Sequence, residues 1–201
     1  LQKQKAGVLI SSNHVAMAAH FRMSNTNILF YDQNNQEVKR RVIGGMRVHA
    51  SDAYIAILDE PVPPSIHPVK LLPPNFFNAL GTGTGLPGLY FDQEEHSLVC
   101  EFSSLPFSHG SSSGHCPEDN IRSLYFESVI GGDSGNPRFM VFDNELALIT
   151  TFYQGIGGSG PFYTSWAMEV QNVMNNLSIT HGKPLSQLNF VDLVNVEVNN
   201  D

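Results

Sequence analysis

Short apolar segments rich in β-branched and aromatic residues run along the chain as far as residue 153, separated by Gly, Pro, Asn and Asp. Segments of this length, with turn residues between them, are typical of the strands of an all-β sandwich or barrel. The predicted strands cover residues 6–11, 26–32, 38–48, 53–58, 88–92, 97–102, 123–127, 137–143 and 146–153. A proline-rich stretch at 61–74 excludes a helix from the middle of the chain.

One helix is predicted near the end of the chain, over residues 165–177. Its apolar residues recur at helical spacing, which favours packing of one helix face against a barrel. These residues are Trp166, Val170, Val173, Met174 and Leu177. The tail that follows has no clear period until residues 189–198, whose pattern favours a strand.

Composition narrows the class of protein. Of the 201 residues, 41% are hydrophobic and 15% are charged, which supplies a core and argues against general disorder. The formal net charge of −8 disfavours nucleic acid or an anionic membrane as a partner. The basic cluster at 39–41 is short and is interpreted as a solvated strand end. The charge therefore predicts no nucleic-acid partner. No apolar run reaches the length of a membrane span, so no membrane span is predicted.

The two cysteines, Cys100 and Cys116, leave two interpretations open. One disulfide would favour an oxidising compartment, and hence a secreted, extracellular or virion-associated protein over a cytoplasmic one. Two reduced cysteines in a cytoplasmic protein are the alternative. His109 and His115 lie close to Cys116 in sequence, but their spacing does not match that of a zinc site, so no metal ligand is predicted.

The stretch ESVIGGDSGNPRF, residues 127–139, places Ser134 in a loop rich in glycine. Acyl transfer by a serine needs a base for the hydroxyl proton, a carboxylate that orients the base, and hydrogen-bond donors for the oxyanion. Glycines near the serine let successive backbone amides point at one spot. The amides of Gly132 and Ser134 are the predicted donors, and Asp133 is expected to hold the loop from behind.

Two other glycine-rich stretches match known motifs less well. Residues 110–114, GSSSG, have the glycine spacing of a nucleophile elbow around Ser112, but no apolar strand precedes them. They are therefore predicted to form a flexible loop. Residues 83–88, GTGLPG, match a dinucleotide fingerprint formally, but Pro87 and the lack of a following helical pattern predict a turn.

His20 and Asp52 are the candidate base and carboxylate. His20 follows an apolar strand, a polar turn and two alanines, and such small neighbours let the chain pack closely around the ring. Asp52 lies at the entrance of the predicted strand 53–58, where a partly buried carboxylate can accept a hydrogen bond from an imidazole. Asp32 and Asp59 fit turns better. The sequence therefore predicts that the side chains of His20 and Asp52 meet the serine.

Three stretches, in this order along the chain, resemble the chymotrypsin-like (trypsin-fold) serine peptidases. They are MAAHF at 17–21, DAYIAILDEPV at 52–62 and GGDSGNP at 131–137. The resemblance covers about residues 6–177. It implies a serine endopeptidase with a neutral or apolar primary pocket, whose catalytic triad is His20, Asp52 and Ser134. The amides of Gly132 and Ser134 would form its oxyanion hole.

The resemblance also implies a fold of two six-stranded antiparallel β-barrels with the active site in the cleft between them, followed by a C-terminal helix. Residues 1–74 would form the N-terminal barrel lobe and carry His20 and Asp52. Residues 75–88 would connect the lobes, and residues 89–165 would form the C-terminal barrel lobe with the serine. The helix and tail would take residues 166–201.

Substrate preference is also implied by the resemblance. Ser128 falls where the family's primary pocket has its floor, so a neutral pocket for small or medium apolar side chains is expected. The walls are expected from about residues 150–154 and 158–163. The candidate wall residues are Thr151, Tyr153, Ser159 and Phe162.

Further expectations follow from the same resemblance. The spacing of Cys100 and Cys116 resembles that of a disulfide bordering the pocket in relatives, and Asp133 is expected to bond locally instead of binding a freed amino terminus. No metal or organic cofactor is implied, and the expected partners are protein or peptide substrates. Because a fold does not fix a function, a self-processing protein or a catalytically silent trypsin-fold binding or structural module is the alternative. The sequence makes no prediction of the oligomeric state.

Overall fold

The structure, a computed structural model, describes residues 5–106, 110–142, 145–153 and 158–193. It is mostly β, as predicted. The strands are β1 (Val8–Ser11), β2 (His14–Ala18), β3 (Asn27–Tyr31), β4 (Glu37–Arg47), β5 (Ala53–Leu58), β6 (Lys70–Leu71), β7 (Pro87–Phe91), β8 (Ser97–Ser104), β9 (Ser111–His115), β10 (Pro137–Phe142), β11 (Glu145–Thr151) and β12 (Gly160–Pro161). The α-helices are α1 (Phe77–Leu80) and α2 (Ala167–Thr180), and short 3₁₀ turns cover Ala19–Phe21, Arg122–Tyr125 and Tyr163–Trp166.

The first sheet has five strands in the order β1-β2-β5-β4-β3, and every neighbouring pair is antiparallel. Its central strand β5 is apolar on both faces, since it is covered on each side. Ile55 and Ile57 lie in a core cluster shared with the second sheet, whereas Ala56 and Leu58 lie in a cluster within the first. This double burial fixes the strand that Asp52 precedes.

The second sheet has seven strands in the order β12-β9-β8-β7-β10-β11-β6. Its pairs are antiparallel except β6, which runs parallel to β11. Strand β6 falls inside the predicted first lobe, so the change from one sheet to the other lies between Leu58 and Lys70. The β-rich core thus forms a curled, barrel-like sheet arrangement with one C-terminal helix.

Helix α2 packs where the two sheets meet. Val170, Val173, Met174 and Leu177 are buried, as predicted from their spacing. They share a cluster with residues of both sheets, including Ile57, Phe139 and Leu148. The helix has 14 residues, and no helix in the described part of the chain is long and apolar enough to cross a membrane.

Two local predictions were wrong. Residues 110–114, expected as a flexible loop, contribute strand β9, because the segment pairs with β8 on one side and β12 on the other. Residues 123–127, expected as a strand, fall largely in the 3₁₀ turn Arg122–Tyr125. The Asp119 carboxylate starts this turn by accepting hydrogen bonds from the N–H groups of Ile121 and Arg122, at 2.9 and 2.7 Å.

The predicted late strand at 189–198 is seen in part. Phe190 forms a single parallel bridge with Leu71, and the segment beyond residue 193 lies outside the described residues. The predicted connection 75–88 contains helix α1 and the start of β7.

Candidate active site

His20 is held beside Asp52 by main-chain hydrogen bonds. It lies in the 3₁₀ turn that follows β2, and Ala18 at the end of that strand pairs with Ala53 at the start of β5. The N–H of Ala19 donates to the carbonyl oxygen of Asp52 at 2.7 Å, and the N–H of His20 donates to Asp52 Oδ1 at 3.0 Å. Antiparallel pairing of β2 with β5 therefore brings the two candidate residues together.

The Asp52 carboxylate also contacts the His20 ring. Its Oδ2 lies 2.5 Å from Nδ1, and the two side chains are 22% and 48% exposed, respectively. Because a carboxylate accepts hydrogen bonds, Nδ1 carries the ring proton in this contact. Nε2 is then left as the acceptor on the far side of the ring.

Ser134 meets that acceptor. Its Oγ lies 2.9 Å from Nε2 of His20. The three residues predicted from the sequence are therefore joined by hydrogen bonds, with the histidine between the hydroxyl and the carboxylate. Such a chain is suited to moving a proton from a serine hydroxyl to an imidazole as the oxygen attacks an electrophile.

Asp133 fixes the loop that carries Ser134. It is 1% exposed. Its Oδ2 accepts a hydrogen bond from the N–H of Ile130 at 2.7 Å, and its Oδ1 accepts one from the N–H of Gln93 at 3.0 Å. Local bonding of Asp133, expected from the sequence, is confirmed.

The predicted oxyanion donors are the amides of Gly132 and Ser134, and the loop around them has glycines at positive φ. Gly132 and Gly135 have φ values of +131° and +94°, which residues with a Cβ rarely adopt. Among the described residues, none accepts a hydrogen bond from the main-chain N–H of Gly132 or of Ser134. These two amides are thus available to a ligand, and their catalytic role stays a prediction.

Ser128 lies on a cavity behind the serine loop. The cavity has a volume of about 280 Å³ and is also lined by Tyr90, Glu127, Ile130 and Asp133. The hydroxyl of Tyr90 donates a hydrogen bond to the carbonyl oxygen of Glu127 and accepts one from the N–H of the same residue at 3.0 Å. This aromatic residue therefore fixes the segment that leads into Ser128.

The other predicted pocket residues are placed differently. Tyr153 hydrogen-bonds through its hydroxyl to Ser111, and its N–H donates to the carbonyl oxygen of Ser159 at 3.1 Å. Thr151 is buried, and its hydroxyl lies 2.8 Å from that of Tyr163.

Phe162, a candidate wall residue, lies in the core instead of on an open pocket. Its side chain is fully buried within the core of the second sheet. The ring packs edge-on against Phe76, with the ring centroids 5.3 Å apart. A large apolar ring reaches the core here because the segment after β12 turns inward, so Phe162 is a packing residue.

The implied disulfide is not formed, since Cys100 and Cys116 are both free. Cys100 points into a buried cluster with Tyr90 and Phe152, and burial raises the pKa of its thiol. Cys116 is exposed, just beyond the end of β9. The two thiols therefore lie in different environments, one in the core and one at the surface.

The histidines near Cys116 that were considered as metal ligands form no metal site within the described residues. His115 lies 3.3 Å from the Ser103 hydroxyl, and His109 lies outside the described residues. Ligand atoms of Asp92, Glu94 and His96 do lie within 4.8 Å of one another. That proximity follows from a turn, in which Asp92 Oδ1 accepts the main-chain N–H groups of Glu94 and His96 at 2.8 and 2.9 Å.

Arg138 lies on β10, and its burial was not predicted from the sequence. It is 1% exposed, and its Nε and Nη1 atoms have no hydrogen-bond acceptor among the described residues. Burial lowers the pKa of its guanidinium. The sequence did contain a signal for this buried residue, since Arg138 stands between apolar residues of β10, four positions after Ser134.

Neither a scan against protein-family models nor a search of curated proteins finds a match for this chain. The interpretation of the site therefore depends on the residues and distances described above. They define a hydroxyl, an imidazole and a carboxylate in hydrogen-bond contact where the ends of β2 and β5 face the loop before β10.

Proposed function

We propose that the protein is a serine endopeptidase of the chymotrypsin-like, trypsin-fold class. The observation that carries the proposal is the placement of His20, with Nε2 at 2.9 Å from the Ser134 hydroxyl and Nδ1 at 2.5 Å from the Asp52 carboxylate. Acyl transfer by a serine–histidine–carboxylate triad uses these groups in this order. The proposal includes the two-barrel fold of that class, with the five-stranded and seven-stranded sheets belonging to the two barrels.

The first half of the proposed reaction forms an ester. Ser134 Oγ attacks the carbonyl carbon of a peptide bond while its proton passes to Nε2 of His20. The carbonyl oxygen gains the electron pair of the C=O π bond, and the amides of Gly132 and Ser134 donate hydrogen bonds to it. Asp52 stabilises the imidazolium and keeps the ring oriented.

The second half releases the products. The imidazolium gives its Nε2 proton to the leaving nitrogen as the C–N bond breaks, which leaves an acyl ester on Ser134. A water molecule then loses a proton to His20 and attacks the ester carbonyl carbon. Collapse of this second intermediate returns the proton to Ser134 and frees a carboxylic acid. The scheme uses no metal or organic cofactor, and its partners are protein or peptide substrates.

Replacement of the nucleophile tests the proposal. In Ser134→Ala we expect the loss of both peptide cleavage and covalent labelling by a serine-directed phosphonate, with kcat lowered by about 10⁴-fold or more. Ser97→Ala, which removes an exposed hydroxyl on β8, is the matched control and should keep both. Cleavage of added peptides in trans separates a peptidase from a protein that only processes itself or only binds. Labelling that persists in Ser134→Ala would contradict the proposal.

A further inference from the structure

Arg138 is a buried cation to which the described residues offer no anionic partner. No carboxylate in the described ranges lies within ion-pair distance of it, and its Nε and Nη1 atoms lack acceptors. Its charge interacts chiefly with Cys100 and Tyr90. Both of these are neutral at ordinary pH, because burial raises the pKa of the thiol and raises that of Tyr90 to about 12. An uncompensated charge in a dry environment is strongly unfavourable, so its presence points to an anion that joins it.

The nearby acids are engaged elsewhere. Glu101, the neighbour of Cys100 on β8, has one carboxylate oxygen 2.8 Å from Nη2 of Arg122 and the other 3.8 Å from Nε2 of His115. Asp133 accepts hydrogen bonds from two backbone amides, as described above. Neither group can turn to Arg138 without leaving its own partners unsatisfied.

The guanidinium lies where the three segments expected to form the primary pocket converge. Its Cζ lies 4.8 Å from the ring centroid of Phe152, in the segment 150–154. A Cβ on Gly158, in the segment 158–163, would lie 2.7 Å from Nη2 of Arg138 and 2.6 Å from Cγ2 of Val129. Val129 directly follows Ser128, the expected pocket floor. The guanidinium therefore lies against Phe152 and close to Gly158, and Val129 lies close to the same glycine.

Phe152 connects this cation to the nucleophile loop. Its carbonyl oxygen accepts a hydrogen bond from the N–H of Gly135 at 2.8 Å, and its N–H donates to the carbonyl oxygen of Asn136 at 3.0 Å. Gly135 is the residue after Ser134. A side chain that reaches Arg138 would thus enter directly beside the serine.

The guanidinium lies over the faces of two aromatic rings. Tyr90 lies 5.6 Å from Cζ of Arg138 on one side, and Phe152 lies 4.8 Å away on another. Cation–π contacts of this kind fix the position of the group while leaving its N–H groups without acceptors. A carboxylate is an anion that can accept a charge-assisted hydrogen bond from either of these N–H groups.

We infer that Arg138 determines substrate specificity by forming the base of the primary pocket and binding a carboxylate side chain. The preferred substrates then have Glu or Asp on the amino side of the cut bond. This inference depends on the proposed peptidase function, and it replaces the neutral, apolar preference that Ser128 alone implied.

Matched peptides test the inference. Fluorogenic tetrapeptides that differ only in the residue before the leaving group, as Glu, Asp, Gln, Leu or Lys, are compared by kcat/KM. Glutamine matches glutamate in size and shape but carries no charge. Since a charge-assisted hydrogen bond to a buried arginine is lost in the glutamine peptide, we expect a Glu preference of about 10- to 100-fold over Gln, with Lys lowest.

The role of Arg138 is tested by Arg138→Met, which keeps the length of the side chain and removes its charge. The Glu/Gln ratio should fall to about one or below. Arg138→Lys keeps the charge without the planar fork and should keep a weakened acidic preference. Arg41→Met removes an exposed cation from β4 and should leave both the ratio and the rate unchanged.

The outcomes separate the inference from the proposed function. Cleavage without an acidic preference, or a preference that persists in Arg138→Met, overturns the role of Arg138 and leaves the peptidase intact. If no peptide is cleaved and no phosphonate labels Ser134, the proposed function fails. In that case, calorimetric binding of tetrapeptides ending in Glu or in Gln tests the role of Arg138. Tighter binding of the Glu peptide supports an acid-binding pocket, and equal binding overturns it. If Arg138→Met does not fold, the Glu/Gln ratio of the wild type and of Arg138→Lys tests the inference instead.

Discussion

One carboxylate holds His20 at two points. Asp52 accepts the main-chain N–H of His20 with Oδ1 and faces the ring nitrogen Nδ1 with Oδ2. The first contact fixes the backbone turn, and the second fixes the orientation and tautomer of the ring. A histidine that is 48% exposed would otherwise have considerable freedom of rotation. The geometry at Ser134 therefore depends on both oxygens of Asp52.

Asp52→Asn separates these two functions. The amide oxygen can still accept the main-chain hydrogen bond, but the amide nitrogen now donates toward Nδ1, so the ring proton moves to Nε2. Nε2 can then no longer accept the Ser134 proton, and we expect kcat to fall by about 10⁴-fold, as this change of tautomer does in serine peptidases. The melting temperature should change little.

The matched control is Asp59→Asn at the other end of β5. Asp59 Oδ1 accepts hydrogen bonds from the main-chain N–H groups of Arg41 and Glu60, and an asparagine oxygen can do the same. Peptide cleavage by this variant should stay at the wild-type rate. A similar loss of rate in both variants would argue against a specific role of Asp52.

The β1–β2 hairpin is joined to α2 and the segment after it by a buried polar cluster around His14. Nδ1 of His14 lies 2.8 Å from the Ser11 hydroxyl and 3.1 Å from that of Ser186, and Nε2 lies 3.4 Å from the hydroxyl of Ser178 in α2. His14 is fully buried. Desolvation lowers the pKa of its imidazole to about 4. The cluster thus depends on a neutral ring.

A dependence of stability on pH follows from this ring. The folded-state pKa of about 4 lies below the ordinary value of 6.5, so the unfolded chain takes up the proton first as the pH falls. The free energy of unfolding is therefore at its full value above about pH 6.5 and decreases down to about pH 4, by up to about 3 kcal/mol. Denaturation at a series of pH values measures this decrease.

His14→Gln removes the titrating group and should flatten the dependence between these pH values. His67→Gln, which replaces an exposed histidine, should leave the dependence as in the wild type. Parallel curves for His14→Gln and the wild type would show that the buried imidazole does not cause the decrease.

The candidate site is shared between the two sheets. His20 and Asp52 lie at strand ends of the first sheet, and Ser134 lies in the loop before β10 of the second. At Gly135 the loop lies close to the segment before β1, since a Cβ there would lie 2.4 Å from the carbonyl oxygen of Ala6. The distance between Ser134 and His20 therefore depends on a glycine at position 135.

Gly135→Ala should push the serine loop away from the first sheet. A displacement of about 1 Å between reacting groups can lower the rate by about 10²-fold, so we expect a loss of this order in kcat. Gly85→Ala is the control, because Gly85 has a φ of +77° but no atom within 4 Å of an added Cβ. Both variants carry the cost of a side chain at positive φ, about 1 kcal/mol, but the control should keep its activity. Equal activity of the two would contradict this account.

The sequence predicted best where local pattern and tertiary packing agree. The apolar run of β5 and the helical spacing in α2 specify both the element and its buried face, and the motif around Ser134 specifies a loop through its glycines. Prediction failed where distant partners decide the structure. The serine-rich segment of β9 has no apolar pattern and becomes a strand only because β8 and β12 pair with it.

The residues of the candidate pocket were also predicted only in part. Ser128 was placed by its distance along the chain from Ser134 and does lie on a cavity behind the loop. Phe162 was placed in the same way but lies in the core. The separation of Arg138 from the acids of the described ranges is a three-dimensional property, because Glu101 pairs with Arg122 instead. Spacing alone carries no information about such a choice of partners.

The two amide contacts of Asp133 have a consequence for regulation. Each oxygen of this buried carboxylate already accepts a main-chain N–H, from Ile130 and from Gln93, so local bonds shape the loop with no ammonium group bound there. Under the proposed function, the loop that carries the nucleophile would take its shape on folding, without an ammonium group from a maturation cut. Restraint of such an enzyme in its host would then have to come from an inhibitor, from compartmentation, or from a narrow choice of sequences to cut.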